Sequence, residues 1–439
     1  MDYKEAVLYL NSFINNEKNK NFSYKKFRLE RVREILNFLD NPHEKITAIH
    51  IAGTKGKGST AAFISSILKK AGYKTGLYTS PHLHDFRERI QLNSRKISKR
   101  DLMRVVKKVK VAVDEYLEKG SSRPTFFEIY TIAAFLYFSY KRADIVVLEV
   151  GIGGRLDATN VVRSLISVIT PISYEHTGKL GKTLAKIAAE KAGIIKERSM
   201  AISAPQPKAA ERVIESRARE VKAGLLVIGK DVCFKEGKFN GRFQSFTVRS
   251  MSGRLFNLKT SLLGRHQMIN ASCGVAAIEA LNSYHIKVSS DAVESGVNSA
   301  RWPGRLEVAA RKPLVVLDGA QNKASARVLK EAVLKLFKYS RLILILGVSE
   351  DKDIKGICSV LEKISDVIIL TKALHPRAVS VDCIKKHISD KKKIYLSNSV
   401  SNALELAREK AGENDLILAA GSLFVVAEAR KIIRADKNG

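Results

Sequence analysis

The sequence predicts an α/β protein built on mostly parallel sheets, a large first unit followed by a smaller, doubly wound one. Three observations predict it. Short apolar runs of strand length alternate with helix-period segments along nearly the whole chain; a glycine-rich turn joins the first of those runs to a helix; and the alternation starts afresh after a Trp-Pro-Gly turn at 302–304. A length of 439 residues, 45% hydrophobic and 27% charged, fits one large and one small domain and excludes a disordered or collagen-like polymer.

In chain order, Leu29, Val32, Ile35, Leu36 and Leu39 mark one face of a helix, which Asn41-Pro42 stops before a strand at 46–52. Strands follow at 74–79, 144–150, 165–170 and 200–204, and Ser98 with Asp101 caps the start of one long helix. The stretch 243–259, with Phe246, Val248, Phe256 and Leu258 around Ser252-Gly253, predicts a small β insertion. Strands at 314–317, 342–346, 367–370, 393–396 and 416–419, each ahead of a helix-like segment, form the second unit. The segment 298–305, with the only tryptophan, Trp302, and a Pro-Gly turn, reads as a hinge and sets the domains at 1–298 and 304–439.

Lys and Arg number 76 against 44 Asp and Glu, a formal net charge of +32 that favours polyanionic partners: nucleic acid, anionic membrane, or phosphorylated and polycarboxylate small molecules. The cations are spread along the chain, with no run longer than Lys391-Lys392-Lys393, so a generally basic solvated surface accounts for them as well. Cys233, Cys273, Cys358 and Cys383 lie far apart without a C-x-x-C pair, which argues against a disulfide framework or structural zinc and for free thiols in a reducing compartment. The start, Met1-Asp2-Tyr3-Lys4-Glu5, lacks the order of a signal peptide, and no apolar run approaches the ~20 residues of a bilayer span. A cytoplasmic protein without a membrane partner is expected.

The sharpest local signal is Gly53-Thr54-Lys55-Gly56-Lys57-Gly58-Ser59-Thr60, between an apolar strand and a helix. Glycines there turn backbone N–H groups toward phosphate oxygens, the helix N-terminus adds positive potential, and Lys57 reaches the outer phosphates. The run departs from the common phosphate-loop pattern, since Gly58 separates Lys57 from Ser59.

Further motifs bring a particular family into view. They are Thr79-Ser80-Pro81-His82-Leu83 with Glu88-Arg89-Ile90, then Glu149-Val150-Gly151-Ile152-Gly153-Gly154-Arg155-Leu156-Asp157-Ala158-Thr159-Asn160, then Glu190-Lys191-Ala192-Gly193-Ile194-Ile195. Gly264-Arg265-His266-Gln267-Met268-Ile269-Asn270, Trp302-Pro303-Gly304-Arg305-Leu306-Glu307, Asp318-Gly319-Ala320, Asp351-Lys352-Asp353 and Gly421-Ser422-Leu423 continue the series. In order and spacing the whole chain resembles the folylpolyglutamate synthase and dihydrofolate synthase family of Mur-type ligases. The resemblance implies a large phosphate-loop Mur ligase ATPase domain with a smaller C-terminal Rossmann-like domain. It also implies an activity: ATP phosphorylates a folate-type carboxylate, and L-glutamate attacks the acyl phosphate, releasing ADP and phosphate.

The same resemblance implies residue roles. Ser80, Glu149 and His176 look like magnesium ligands, and Lys191 resembles a lysine carbamylated by carbon dioxide that helps hold a second magnesium; a bare ammonium there would repel the metal. Gly53, Thr54, Gly56, Lys57, Gly58, Ser59, Thr60, Asn270, Arg305, Asp318 and Gln321 match nucleotide contacts, with the site completed by domain closure. Lys57, Lys191, His176 and Glu149 would carry the catalysis. Thr125, Phe126, Phe127, Glu128, Leu156, Asp157 and Ala158 resemble the pterin and aminobenzoate contacts of the bifunctional enzymes, although a packed core helix explains Phe126 and Phe127 equally well. Singly, Ser80 reads as a helix cap, Glu149 as a salt-bridged carboxylate and His176 as a surface histidine.

Two departures stand out. Gln321 replaces the family's usual histidine and cannot carry positive charge, and Glu175 stands before His176 where aspartate is commoner. The segment Phe27-Arg28-Leu29-Glu30-Arg31-Val32 leans toward the bifunctional type. The expectation is a bifunctional dihydrofolate synthase/folylpolyglutamate synthase, monomeric, using ATP and two magnesium ions on small-molecule substrates. Its alternatives are a monofunctional folylpolyglutamate synthase or a Mur-type ligase for another acidic acceptor. A basic, nucleotide-regulated nucleic-acid-binding protein is the reading from another class; the sequence shows no recognised nucleic-acid module.

Overall fold

The computed structural model describes residues 1–14, 28–350, 352–389 and 393–436. Phe27, Asp351, Lys391 and Lys392, singled out above, lie outside the described residues. The chain divides into two compact units. The first comprises Met1–Gly237, Ser245–Thr260 and Gln267–Arg301; the second comprises Lys238–Gln244, Ser261–His266 and Trp302–Gly439.

The first unit begins with α1 (Tyr3–Asn11), α2 (Leu29–Asn37), β1 (Ala48–Ala52), α3 (Lys57–Lys70), β2 (Thr75–Tyr78), β3 (Ile90–Leu92), β4 (Arg95–Lys96), α4 (Lys99–Glu118), α5 (Phe126–Tyr140) and β5 (Ile145–Glu149). It continues through β6 (Ile166–Ile169), α6 (Thr177–Leu180), α7 (Leu184–Ala192), β7 (Met200–Ser203), α8 (Lys208–Glu220) and β8 (Gly224–Val227). Eight strands line up as β4-β3-β2-β5-β1-β6-β7-β8, parallel from β2 to β8 and antiparallel at the β2-β3-β4 edge. Every residue of β1, β5 and β6 is buried, as a parallel sheet covered by helices on both faces requires. The chain leaves β1 toward β2 on one side, and leaves β6 toward β7 on the other. Loops at the carboxyl ends of β1 and β6 therefore part, which is where open α/β sheets hold their ligands.

Ser98 accepts from the Asp101 amide at the start of α4, as its spacing predicts. Three further strands, β9 (Cys233–Phe239), β10 (Gln244–Arg249) and β11 (Leu255–Thr260), form the separate sheet expected at 243–259, with one strand more than the sequence signalled. In β11 the alternation of exposed and buried residues is complete, with Phe256 and Leu258 inward. Helices α9 (Arg265–Ala280) and α10 (Ser290–Ser299) follow.

One buried ion pair ties α2 to α5. Arg31 donates through Nε and Nη2 to Glu128 Oε1 at 3.2 and 2.7 Å, and Glu128 Oε2 accepts from the Thr125 amide at 2.7 Å to close a capping box. The two side chains are 9% and 1% exposed, so removing one partner strands the other charge away from water. Arg31→Met is expected to lower stability by about 3–5 kcal/mol, measured as the shift in urea-unfolding free energy.

The second unit contains β12 (Glu307–Arg311), β13 (Leu314–Leu317), α11 (Lys323–Leu336), β14 (Leu342–Leu346), α12 (Ile354–Leu361), β15 (Val367–Leu370), α13 (Val381–Lys385), β16 (Lys393–Leu396), α14 (Val400–Lys410), β17 (Leu416–Ala420) and α15 (Leu423–Ala435). Its sheet runs β12-β13-β17-β14-β15-β16, parallel except for β12. Separate apolar cores cover its two faces, one through Leu344 and Leu418, the other through Ile345 and Ile417. That is the doubly wound architecture expected.

Candidate active site

β1 ends at Ala52, and the chain turns through Gly53 and Gly56, whose φ angles are +150° and +91°. A Cβ on Gly53 would come within 1.8 Å of Thr170 Oγ1, and one on Gly56 within 2.3 Å of Asn270 Oδ1, so both positions require glycine. The Thr54 and Lys55 amides donate to Pro171 O, and Thr54 Oγ1 donates to Ser173 O, which stitches the turn to the loop after β6. Gly56 then starts α3 with no side chain capping it. The first amides of that helix, from Lys57 onward, are thus left for an external acceptor, and an anion suits them.

Lys57 Nζ stands 3.9 Å from Glu149 Oε1 at the end of β5. Glu149 Oε2 accepts from the Ser80 amide at 3.2 Å. Lys55 Nζ pairs with Glu175 Oε1 at 2.8 Å, and His176 begins α6 with φ +53°. Lys191, near the end of α7, is 5% exposed, and its Nζ donates to Gly53 O at 2.8 Å. Burial, reinforced by the neighbouring Lys57, pulls its amine down to about 7, against a partial opposing pull from Glu175. An open pocket of about 270 Å³ is lined by Gly53, Lys57, Glu175, His176 and Lys191 on one side and by the rim Val150–Gly153 on the other.

Two glycines fit the rim loop to α7. A Cβ on Gly154 would lie 2.6 Å from Glu190 O, and one on Gly193 would lie 2.5 Å from Arg155 Cβ. The Arg155 amide donates to Glu190 O at 2.7 Å across this contact. Gly154→Ala is expected to cost about 1–3 kcal/mol, seen as a lower unfolding midpoint, because a backbone oxygen cannot swing aside as a side chain can.

The expected acceptor residues are not in the pocket lining. Thr125 and Glu128 form the capping box already described, and Phe126 stacks 5.5 Å from Tyr130 with the Arg89 guanidinium over its ring. Phe127 lies behind the rim: a Cβ on Gly151 would meet its ring at 2.5 Å. Asp157 is 2% exposed, with burial pushing its carboxyl upward, and Ala158 is buried; Leu156 packs at the edge of a core. Asn270 is buried, and its Nδ2 donates to Gln267 Oε1 at 3.0 Å.

In the second unit, Asp318 accepts from the Leu306 and Ala320 amides at 2.8 Å each. A Cβ on Gly319 would meet Arg305 Nη1 at 2.6 Å, and the Gln321 amide donates to Ser325 Oγ. His266 is held neutral, at about 4, by burial and by the Arg305 charge.

Among the described residues no cluster of three or more His, Cys, Asp or Glu is assembled to hold a metal. Buried Glu149, with Ser80 and His176 beside the open helix end, nonetheless suits an ion that retains waters and takes one or two carboxylates plus substrate phosphates. The donor set fits.

Family comparison follows the same geometry. The Mur ligase middle domain matches residues 51–278 and the Mur ligase glutamate ligase domain matches 304–423, so the chain is a ligase of the Mur class. It is 36% identical over 413 residues to the dihydrofolate synthase/folylpolyglutamate synthase of Bacillus subtilis, with 92% of this chain and 95% of that protein covered. Mycobacterium tuberculosis folylpolyglutamate synthase, solved with ADP and AMPPCP, superposes with a TM-score of 0.89 at 28% identity, covering 98% of this chain and 99% of its own. Escherichia coli FolC in complex with DHPP and ADP gives 0.88 at 29%, covering 100% and 99%. The chain belongs to the folylpolyglutamate synthase/dihydrofolate synthase family, whose members are ATP-dependent ligases. No helix among the described residues is long and apolar enough to cross a membrane.

Sequence reasoning passed over the rim Gly151–Gly153 as a pocket wall, the Lys55–Glu175 pair, and His50. The signals were present: two glycines directly after a strand, and a lone histidine inside an apolar strand.

Proposed function

We propose that this chain joins L-glutamate to a folate-type carboxylate at the expense of ATP, acting on dihydropteroate, on reduced folate polyglutamates, or on both. The observation that carries the reading is the convergence of Lys57, His176 and Lys191 on one pocket at an uncapped helix N-terminus, with Glu149 3.9 Å from Lys57. The α3 amides and Lys57 hold the outer phosphates. An acceptor carboxylate oxygen bonds to the terminal phosphorus as the bond to ADP breaks; the glutamate amine then attacks the acyl carbon, phosphate leaves, and the amine sheds a proton. Charge moves onto the departing ADP in the first step and onto phosphate in the second, and Lys57 is placed to meet it. Asn270, Arg305, Asp318 and Gln321 are assigned to the nucleotide, and residues 125–128 and 156–158 to the acceptor.

Ser80, Glu149 and His176 would hold magnesium, which supplies charge neutralisation at the phosphates. Lys191 is the candidate for carbamylation: its neutral amine adds carbon dioxide and loses a proton, which converts a buried cation into a carboxylate. The domains are taken as 1–298 and 304–439, and the chain as a cytoplasmic monomer with small-molecule partners and no nucleic acid.

Phosphate release from ATP is the test, measured with dihydropteroate and with tetrahydrofolate, each with and without glutamate. Release that requires an acceptor and glutamate together is expected; none with either acceptor overturns the reading.

A further inference from the structure

His50 lies in the middle of β1, 0% exposed, on the strand that delivers the phosphate loop. Its Nε2 stands 2.7 Å from Thr159 Oγ1, and the Thr159 hydroxyl donates to Asp157 Oδ1 at 2.6 Å. With that hydroxyl proton committed, Thr159 accepts from His50, so His50 carries its proton on Nε2. Asp157 Oδ1 also accepts the Thr159 amide at 3.1 Å, and Oδ2 accepts the Ile152 amide at 3.0 Å from the pocket rim, with the Gly151 backbone beside it. His50 Nδ1, by contrast, is buried without a hydrogen-bond partner among the described residues.

That orphaned nitrogen decides between two roles. A buried polar atom without a partner is destabilising, and an apolar side chain of the same shape would serve the core as well or better. Only the Nε2 contact justifies a histidine here, and that contact leads to the rim.

We propose that His50 and Thr159 are positioning residues: a buried His50–Thr159–Asp157 relay fixes the Gly151–Gly153 rim, relative to the phosphate loop, in the geometry that binds nucleotide phosphates. The proposal rests on reading this pocket as the nucleotide site. Two parts of the pocket lining hang on it, since β1 leads into the turn that carries Gly53 and on to Lys57, while Asp157 holds the Ile152 amide of the rim. The relay's members come from two stretches of chain, β1 and residues 157–159, and none of the three side chains lines the pocket.

The test uses the full chain, with magnesium and AMPPCP as the probe, titrated calorimetrically, alongside thermal unfolding. His50→Leu and Thr159→Val are expected to weaken binding about tenfold, the size of one lost hydrogen bond. The His50→Leu unfolding midpoint is expected to stay level or rise. His50→Gln, which keeps a donor near the Nε2 position, and Thr159→Ser are expected to restore affinity to within about threefold. The double variant His50→Leu/Thr159→Val should bind no worse than either single one, as for parts of one unit. Unchanged affinity in both apolar variants, or a fall in His50→Leu stability without loss of affinity, overturns the relay. A wild-type chain that fails to bind the probe overturns instead the nucleotide reading on which it rests.

Discussion

Lys191→Met is expected to reduce ligation by roughly 10³-fold or more while leaving the fold intact. Methionine matches the length and apolar stem of lysine, and it forfeits the hydrogen bond to Gly53 O. The size of the loss follows from what the position supplies. A carbamate at Lys191 would add a negative oxygen ligand where Lys57 and Lys55 already raise the positive potential, whereas a protonated lysine would add a third charge repelling a metal. Short carboxylates such as acetate, added to Lys191→Met, are expected to restore part of the activity by occupying the vacated space. Rescue by alkylamines in place of carboxylates would show that the amine itself acts. A second readout needs no turnover: wild-type protein kept in isotopically labelled bicarbonate should gain the intact mass of one carbamate, and Lys191→Met should not.

The pH dependence of that modification has a defined sign. Carbon dioxide adds only to the neutral amine. With the Lys191 amine at about 7, the neutral fraction is small near pH 6, half near pH 7 and nearly complete at about pH 8. Activation by bicarbonate should rise across that window and then level. An ordinary lysine, at about 10.4, would still be rising far above it.

Lys57→Ala is expected to lower kcat by roughly 10²–10³-fold, with a smaller loss of ADP affinity. Lys57 sits at the first turn of α3, 3.9 Å from Glu149 Oε1 and 17% exposed, so it faces the pocket instead of bulk water. An ammonium there meets charge that grows as the terminal phosphoryl group transfers. ADP lacks that group, which is why its binding reports less of the loss. Lys57→Arg is not expected to rescue, because a planar fork is a poor substitute for a compact point charge in so small a pocket. Steady-state kinetics with calorimetric ADP titration separates the two effects; an unchanged kcat with weakened ADP binding would assign Lys57 to ground-state binding alone.

Much of this molecule is legible in its sequence. In the second unit the runs at 314–317, 342–346, 367–370 and 393–396 coincide with β13 to β16 residue for residue; β14 and β15 are fully buried parallel strands, which leave an unbroken apolar signature. β12 escaped notice because it is an antiparallel edge strand, half-buried, with a bulge between Val308 and Ala310. β9 escaped for a similar reason: Lys235, Gly237 and Lys238 hide its alternation. At the site, the glycine turn and its lysine read directly from spacing. What spacing could not show is that Glu128 is held by Arg31, ninety-seven residues away, or that Asp157 turns both oxygens toward the protein. Those are consequences of packing, and Thr125 with Glu128 carries the same letters whether it caps a helix or meets a ligand.

The interlock of Gly154 with Gly193 bears on how this enzyme can be re-engineered. Each glycine leaves room for the other segment's backbone or side-chain stem, so the rim loop and the helix bearing Lys191 are keyed to one another. Grafting the 150–160 loop from a relative with a different acceptor preference would therefore misalign unless residues 184–193 travelled with it. The transplantable cassette is the pair of segments, and a chimaera that exchanges only one of them inherits a misfitted lock.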